Sequence, residues 1–273
     1  MHPELFHFGP FSVKAYGLML AISFFVGVWL AVRRAKKAGY SEKVMIDLCF
    51  IVMVAAIVGS RFFYVIYHPD EFAGHWIDTI NPFQSTGQIG IAGLSMMGGL
   101  VLAIIAAVLY FIIRKVYPWG LLDALTPSFF IGEGITRIGC FLNGCCFGKP
   151  THCGCGVVFP PDSMAGWVFP NTAIWPTQIF SSVAGFLLAG LLILFERKKT
   201  FNGYTFWIGL AMYSIWRFII DFFRYYEESM VFVRIGSVDF SRNQFLCLCL
   251  LIIAAWWFIY LKRKNARVSS GIN

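Results

Sequence analysis

The chain carries little charge. Asp, Glu, Lys and Arg make up only 13% of its 273 residues, whereas 58% of the residues are hydrophobic. A soluble protein of this length still has a large surface to cover with polar groups, so this scarcity of charge excludes a soluble globular fold. Low-complexity segments and obvious internal repeats are also missing, which leaves a single polytopic membrane domain as the simplest interpretation.

Seven apolar stretches are each long enough to cross about 30 Å of hydrocarbon, which takes roughly 20 helical residues. They lie near residues 13–32, 44–67, 90–113, 120–141, 176–195, 203–223 and 244–261. The first stretch lacks a clear signal-peptide cleavage pattern and its basic cluster follows the apolar run, so we interpret it as a retained span. The sequence therefore predicts an all-α integral membrane protein with seven transmembrane helices around an outer-leaflet cavity.

The basic residues predict how the chain is oriented. Fourteen of the 22 Lys and Arg residues lie on alternate connections or after the last span. Such a bias places those connections in the cytoplasm, with the amino terminus outside and the carboxyl terminus inside. It also explains the net charge of +8 without nucleic acid as a partner. We expect one membrane domain over 1–261, outer loops near 68–89, 142–175 and 224–243, and a basic, disordered cytoplasmic tail over 262–273.

Three arginines lie inside the predicted spans. With this orientation, Arg61, Arg137 and Arg217 all fall in the outer halves of their helices. An intramembrane charge costs from about 2.5 kcal/mol upward and faces a partner or a wet cavity, so the matching depths predict one shared site. The alternative is simple ion pairing, because Glu133 is i−4 from Arg137 and Asp221 is i+4 from Arg217.

The sixth span carries a polar stripe. Tyr213, Arg217, Asp221 and Arg224 recur at spacings of four, four and three, which places them on one side of a helix. Such a stripe is suited to hold an anion and to position a proton carrier, or it serves only to join helices. Tyr16 in the first span lies near the same outer side.

The stretch "GITRIGCFLNGCCFGKP", residues 134–150, combines an arginine with several glycines at the outer end of the fourth span. Gly139, Gly144 and Gly148 allow tight turns, and Asn143 offers both donors and an acceptor. We interpret the stretch as a phosphate cradle in which exposed backbone N–H groups supplement Arg137.

Five of the eight cysteines lie in or beside the outer loop that follows: Cys140, Cys145, Cys146, Cys153 and Cys155. Their spacing, C-x4-CC-x6-C-x-C, contains no C-x-x-C pair and is not a standard zinc pattern. Disulfides, a metal site and free thiols are all left open. A thiol-redox membrane enzyme is therefore a rival function.

The sequence resembles the bacterial prolipoprotein diacylglyceryl transferases. "TRIGCFLNGCCFG" is similar to the family's Gly-Arg-x-Gly-x-Phe-x-Asn-x-x-x-x-Gly signature, with Thr136 in place of the leading glycine and Cys145 where many members carry a glutamate. The likeness continues in order through "YGLML", "GSRFFYV", "MMGGL", "DALTPSFFIGEGITRIG", "WPTQIF", "YSIWRFIIDFFR" and "SRNQ".

The resemblance implies transfer of the diacylglyceryl group of phosphatidylglycerol to the lipobox cysteine thiol of a preprolipoprotein, giving a thioether and glycerol phosphate. It implies a bacterial cytoplasmic membrane enzyme that needs no metal or nucleotide. Its implied partners are phosphatidylglycerol, preprolipoprotein signal peptides and membrane lipids. We expect the catalytic residues to be Arg137, Arg217, Tyr16, Asp221 and Asn143. We expect the substrate-binding residues to be Arg61, Gly98, Gly99, Gly139, Gly148, Gln178, Tyr213, Arg224 and Asn243.

One position departs from the family pattern. Met97 stands where similar members carry a histidine or sometimes a tyrosine, and a thioether cannot exchange a proton at neutral pH. Three alternatives follow. The base is another residue, such as Tyr16, Asp221 or His152; the thiol ionises in the field of the arginines; or the chain is a lipid-binding paralogue with another acceptor or no activity.

Overall fold

The structure is a computed structural model that describes residues 4–8, 11–79, 81, 93–226, 230–235 and 238–269. The fold is mostly helical. Its helices are α1 (Ala15–Lys37), α2 (Glu42–Tyr67), α3 (Met96–Arg114), α4 (Pro118–Asn143), the short α5 (Met164–Val168), α6 (Thr177–Glu196), α7 (Tyr204–Ile220) and α8 (Arg242–Ser269). Two 3-10 turns, Pro69–Phe72 and Trp76–Thr79, follow α2.

Three antiparallel strand pairs accompany the helices, and the sequence did not predict them. They are β1 (Glu4–Phe8) with β2 (Phe11–Lys14), β3 (Val157–Val158) with β4 (Ala173–Ile174), and β5 (Val231–Ile235) with β6 (Val238–Ser241). Each sheet has only two strands, so the helices define the architecture.

In the described part of the chain, five helices are long and apolar enough to cross a membrane: α1, α2, α3, α6 and α8. Each coincides with a predicted span, and together they indicate a multi-pass membrane protein. The other two predicted spans also form helices. However, α4 contains Asp123, Glu133 and Arg137, and α7 has only 17 residues. The count of seven spans stays a prediction.

The chain divides into two compact units. The first comprises Met1–Arg34 and Trp119–Asn273, and the second comprises Ala35–Pro118. The first unit therefore contains α4, α6, α7 and α8 together with most of α1, and it holds the majority of the predicted site residues.

Helix α4 is polar because protein surrounds most of it. Twelve of its 26 residues are buried. Ser23 of α1 donates a hydrogen bond to the carbonyl of Gly132 at 2.7 Å, and Ser182 of α6 donates one to the carbonyl of Gly134 at 2.8 Å. Such contacts require closely packed helices, which the small residues at these crossings allow.

Asp123, near the start of α4, caps α7. Its carboxylate accepts hydrogen bonds from the backbone N–H groups of Gly203 at 2.7 Å and Phe206 at 2.8 Å, and it lies 2.9 Å from the ammonium of Lys199. The carboxylate thus satisfies N–H groups that the start of a helix leaves without intrahelical partners. Asp123 is 1% exposed in its side chain and has a structural role.

The segment between α4 and α6 has its own small core, formed by Phe147, Phe159, Ala165 and Ile174. The backbone at Gly148, within this segment, lies very close to neighbouring parts of the chain. A Cβ atom there would lie 2.5 Å from the carbonyl oxygen of Trp175 and 2.8 Å from that of Phe223. The backbone N–H of Lys149 donates to the Phe223 carbonyl at 2.8 Å, which fastens the segment to the chain just after α7.

In the second unit, α2 and α3 pack through glycines. A Cβ atom at Gly98 would lie 2.4 Å from the carbonyl oxygen of Gly59, and one at Gly99 would lie 2.3 Å from Ser60 Oγ. The observed role of Gly98 and Gly99 is therefore close helix contact. Their predicted role in substrate binding stays a prediction.

The carboxyl-terminal tail differs from the prediction. Helix α8 continues to Ser269, so the expected disorder from residue 262 onward is wrong over this range. Lys and Arg favour helix, and the side chain of Asn265 donates to the carbonyl of Thr200 at 3.1 Å. Residues 270–273, and 80 and 82–89 of the predicted loop 68–89, lie outside the described residues.

Candidate functional site

Arg137 of α4 and Arg217 of α7 each pair with a carboxylate one turn away. Arg137 Nη2 lies 3.3 Å from Glu133 Oε1, and Arg217 Nη2 lies 3.3 Å from Asp221 Oδ1. These are the pairs that the sequence allowed. The two arginines also interact electrostatically with each other, and Glu133 interacts with Arg217. The two pairs therefore belong to one cluster contributed by two helices.

Tyr226, which the sequence analysis missed, joins this cluster. Its hydroxyl accepts hydrogen bonds from Arg217 Nη2 at 2.9 Å and Asn243 Nδ2 at 3.1 Å, and it donates to Asp221 Oδ1 at 2.8 Å. Burial raises the pKa of Tyr226, so the hydroxyl keeps the proton that it donates. The predicted site residue Asn243 thus contacts the cluster through Tyr226, which lies in the segment after α7.

Both carboxylate oxygens of Asp221 accept hydrogen bonds within the protein. Its Oδ1 is bonded to Tyr226, its Oδ2 accepts from Ser241 Oγ at 3.0 Å, and its side chain is fully buried beside Arg217. The carboxylate fixes Arg217 and Tyr226 in place. Its predicted catalytic role, including that of proton acceptor, stays a prediction.

Arg224 is not on the helix, contrary to the predicted four-residue stripe. Helix α7 ends at Ile220, because the chain then pairs with the segment that follows α4, in a bridge between Arg224 and Gly148. Only Tyr213 and Arg217 of the stripe lie within α7. The Arg224 guanidinium nevertheless lies near the cluster, over the Tyr226 ring.

Two buried guanidinium groups keep a donor without a partner. Among the side chains that the structure describes, the Nε atoms of Arg137 and Arg224 are buried and make no hydrogen bond. The Arg224 Cζ lies 5.3 Å from the centre of the Tyr226 ring, and both arginines act electrostatically on Cys146. Unsatisfied buried donors are costly, and these two belong to guanidinium groups that act on the same thiol, so this place is a candidate site for an acceptor ligand.

The two predicted tyrosines lie beside the same arginines. Tyr16 of α1 interacts electrostatically with Arg137, and Tyr213 of α7 does so with both Arg137 and Arg217. Gly139 explains how α1 comes so close, since a Cβ atom there would lie 2.8 Å from the Cβ of Met19.

The turn after α4 is held by the start of α6. Gln178 Nε2 donates to the carbonyl of Cys145 at 2.8 Å, and Thr177 Oγ1 donates to the carbonyl of Cys146 at 3.0 Å. The side chain of Asn143 hydrogen-bonds with the Cys145 thiol. Gln178, a predicted substrate-binding residue, and Asn143, a predicted catalytic residue, are thus observed to shape the turn. Their contact with substrate stays a prediction.

The expected backbone cradle for phosphate is wrong at three positions. The N–H of Gly144 donates to the carbonyl of Phe141, that of Cys145 to Cys140, and that of Gly148 to Trp175. These donors serve the fold. The guanidinium groups are therefore the better candidates for binding an anion at this site.

All eight cysteines are free thiols in the structure. The sulfur atoms of Cys140, Cys145 and Cys146 lie within 4.8 Å of one another. Hydrogen bonds from the other two thiols, helped by the positive charges of Arg224 and Arg137, lower the pKa of Cys146. The sequence placed these residues in one loop but gave no reason for the three sulfurs to meet.

Arg61 belongs to the second unit. Its guanidinium donates to the carbonyls of Thr79 at 2.9 Å and Gly93 at 3.2 Å, and it lies 4.9 Å from the centre of the Phe72 ring. These contacts hold the segments around α2 and α3. The predicted role of Arg61 in substrate binding stays a prediction.

Fold and site together define a class: a multi-pass helical membrane protein in which arginines outnumber carboxylates in a buried cluster. A family model described as prolipoprotein diacylglyceryl transferase matches residues 3–260. The chain therefore belongs to the prolipoprotein diacylglyceryl transferase family, as the motifs predicted.

Relatives cover nearly the whole chain. It is 31% identical over 259 residues to a phosphatidylglycerol–prolipoprotein diacylglyceryl transferase of Clostridium tetani, covering 94% of this chain and 97% of the relative. It is 32% identical over 233 residues to the protein of the same name from Prochlorococcus marinus strain NATL2A, covering 80% and 77%. A Clostridium perfringens protein, named as transferase 2, is 28% identical over 242 residues and 88% of each chain.

Proposed function

We propose that this protein transfers the diacylglyceryl group of phosphatidylglycerol to the lipobox cysteine thiol of preprolipoproteins. The observation that carries the proposal is the pair of buried Nε–H donors of Arg137 and Arg224 that lack partners beside the Arg217 cluster. Phosphate oxygens are the acceptors that guanidinium groups bind best. The names of the relatives supply the lipid and the protein substrate.

The charges support an anionic ligand. Among the described residues, the cluster holds Arg137, Arg217 and Arg224 with the carboxylates of Glu133 and Asp221, which leaves one net positive charge. The phosphodiester of phosphatidylglycerol carries one negative charge and fits this surplus. A second negative charge develops on the phosphate as it leaves, and preorganised donors stabilise such a charge without reorganising.

The reaction is a displacement at an sp3 carbon. The acceptor sulfur forms a bond to the glycerol carbon of the diacylglyceryl group, and the bond from that carbon to the phosphate oxygen breaks. The electron pair leaves with glycerol phosphate. Arg137 and Arg224 bind the phosphate, while Arg217, held by Tyr226 and Asp221, stabilises its growing charge.

The thiol must also lose its proton before or during attack. Of the proposed acceptors, Tyr16 lies beside Arg137, and Asp221 lies beside Arg217 with both oxygens hydrogen-bonded within the protein. His152 is exposed in the loop. The field of the arginines further favours a thiolate at this place.

We propose seven spans in the bacterial cytoplasmic membrane, with the amino terminus outside and residues 1–261 forming one membrane domain. Basic residues at or after the ends of α1, α3, α6 and α8 support this orientation, because they mark cytoplasmic ends. Arg137, near the end of α4, then lies near the outer leaflet, where signal peptides and phosphatidylglycerol are presented. Arg61, Gly98, Gly99, Gly139 and Gly148 are each proposed to contribute to substrate binding.

Complementation tests the proposal. In a bacterium depleted of its own diacylglyceryl transferase, we expect the wild-type chain to restore lipoprotein modification and growth, and Arg217→Gln to fail at equal membrane abundance. Arg114→Gln is the matched control, since Arg114 also pairs with a carboxylate, Asp47, at 3.5 Å but is exposed. Restoration by Arg217→Gln would contradict the proposal.

The second candidate is a lipid-binding paralogue, which Met97 favours because this position carries a proton-exchanging residue in similar members. Such a paralogue keeps the arginine cluster but does not process a thiol. Complementation of the same depleted strain distinguishes the transferase from the paralogue. Growth with Met97 in place favours the transferase, whereas growth only with Met97→His favours the paralogue.

A further inference from the structure

The three thiols at the end of α4 form a cluster that the proposed transfer does not use. Cys140 is the fourth residue from the end of α4, and Cys145 and Cys146 follow in the turn. Their sulfur atoms all lie within 4.8 Å of one another, with Cys140 buried and the other two half-buried. Sulfurs bound to one zinc ion at about 2.3 Å in a tetrahedron are separated by roughly 3.8 Å. The cluster is therefore close to the dimensions of a three-thiolate site.

The backbone fixes these thiols in advance. Cys146 adopts a left-handed conformation with φ 59°, which is uncommon for a residue other than glycine, and Gly144 has φ 69°. The carbonyls of Cys145 and Cys146 are bonded to Gln178 and Thr177 of α6. A strained residue that its surroundings hold in place indicates a functional constraint at that position.

The surrounding charges favour metal binding by thiolates. The positively charged guanidinium groups of Arg137 and Arg224 act electrostatically on Cys146. Three thiolates with a divalent cation carry one net negative charge, which the neighbouring arginines compensate. A neutral apolar site would not stabilise such an anionic complex.

We propose that Cys140, Cys145 and Cys146 bind one thiophilic divalent cation, such as Zn²⁺, and that this binding opposes the binding of lipid phosphate by Arg137 and Arg224. The thiols release their protons to water as the metal–sulfur bonds form. The described residues supply only these three Cys, His, Asp or Glu ligands, so water completes the tetrahedron. The competition with phosphate rests on the proposed function, whereas the metal site itself does not.

Metal binding opposes phosphate binding because both use the guanidinium donors of Arg137 and Arg224. No described protein group accepts from the Nε–H groups of Arg137 and Arg224, and both guanidinium groups act electrostatically on Cys146. Metal-bound thiolates accept hydrogen bonds and hold these guanidiniums near the sulfurs. The filled site also cancels the single net positive charge on which phosphate binding depends. A cell could therefore reduce lipid transfer when thiophilic metals reach the outer leaflet.

Metal binding is measured on the full-length protein in lipid nanodiscs without phosphatidylglycerol. We expect one Co²⁺ per chain, with the sulfur-to-metal absorption and the visible bands of tetrahedral cobalt, and displacement by Zn²⁺. Cys145→Ser/Cys146→Ser should weaken binding by at least about 100-fold, more than loss of a supporting residue does. Cys153→Ser/Cys155→Ser, which alters the two exposed loop cysteines, should leave it unchanged. Absence of a cobalt–sulfur spectrum, or one unaffected by Cys145→Ser/Cys146→Ser, would overturn the site.

A second test of the metal site uses only the wild-type protein, so a folding defect of a variant cannot affect it. Bound Zn²⁺ should protect Cys145 and Cys146 from alkylation while Cys153 and Cys155 react at an unchanged rate. This comparison needs no substituted chain. Equal reaction of both pairs with and without Zn²⁺ would also overturn the site.

The competition is measured as the KM for phosphatidylglycerol. Saturating Zn²⁺ should raise the KM of the wild type by about tenfold, the order expected for loss of one charge-assisted hydrogen bond. For each cysteine variant, the KM with Zn²⁺ is compared with the KM of the same variant without Zn²⁺, so differences in basal activity do not affect the comparison. Cys145→Ser/Cys146→Ser should lose the Zn²⁺ effect. A KM that stays constant or falls in a loaded wild-type protein would overturn the competition. A metal-free protein that transfers no lipid would instead count against the proposed function.

Discussion

Two polar clusters are buried in the first unit, and they are satisfied to different degrees. At the start of α7, Asp123 accepts two backbone N–H groups and pairs with Lys199. Near the ends of α4 and α7, Arg137 and Arg224 retain buried donors that no described residue accepts. Both clusters place charge inside a membrane protein, where charge is costly.

The difference separates structure from function. Both carboxylate oxygens of Asp123 accept hydrogen bonds from the start of α7, so this side chain serves the fold. In the arginine cluster, Arg217 is held by Tyr226 and Asp221. The Nε–H donors of Arg137 and Arg224 have no partner among the described residues, and the proposed function assigns them to a lipid phosphate. Residues of the first cluster should affect stability, and residues of the second should affect catalysis.

The largest expected effect is that of Arg137→Gln. The transfer rate should fall by about 10²–10³, the loss typical of removing one preorganised donor to a developing anion. Arg137→Lys should recover only part of the rate, because lysine keeps the charge without the planar fork. The measurement is the initial rate with purified enzyme and a lipobox peptide. A rate within threefold of the wild type for Arg137→Gln would remove the distinction between the clusters.

The Asp123→Ala change tests the other cluster. It leaves the N–H groups of Gly203 and Phe206 without their acceptor and should lower the free energy of unfolding by about 2 kcal/mol or more. Thermal unfolding in detergent measures this loss. The activity of each remaining folded molecule should be unchanged. Normal thermal stability with lost activity would contradict the structural role.

The sequence predicted much of this arrangement because helical periodicity is local. The arginines, Tyr16 and the i,i+4 carboxylates were found from spacing and hydropathy alone. Tyr226 could not be found this way, since its importance depends on the loop after α7 folding back onto Arg217. The thiol cluster likewise required the positive φ of Cys146. Arg224 was assigned to a helix because periodicity does not reveal the strand bridge that ends α7.

A smaller effect is expected at Tyr226. Tyr226→Phe removes the hydroxyl that links Arg217 to Asp221 and should reduce kcat by about tenfold, with a smaller change in KM, as expected for one hydrogen bond to a charged group. Tyr225→Phe is the matched control, because the Tyr225 ring stacks on Phe147 and would be kept. Equal effects of the two changes would show that Tyr226 acts only through packing.

The smallest effect is expected at the exposed loop cysteines. Cys153→Ser/Cys155→Ser should keep the transfer rate within about twofold, because surface substitutions away from special features change little. The rival interpretation as a thiol-redox enzyme predicts loss of activity instead. The rate of lipid transfer before and after reduction of the protein checks this prediction.

The most direct test follows two labels in phosphatidylglycerol, one in the diacylglyceryl group and one in the phosphate, with a lipobox peptide and the wild-type protein. We predict that the diacylglyceryl label moves to the peptide cysteine while the phosphate label appears as water-soluble glycerol phosphate in equal amount. Retention of both labels in the lipid by a folded, correctly inserted protein would contradict the account, and so would transfer of the phosphate label to the peptide.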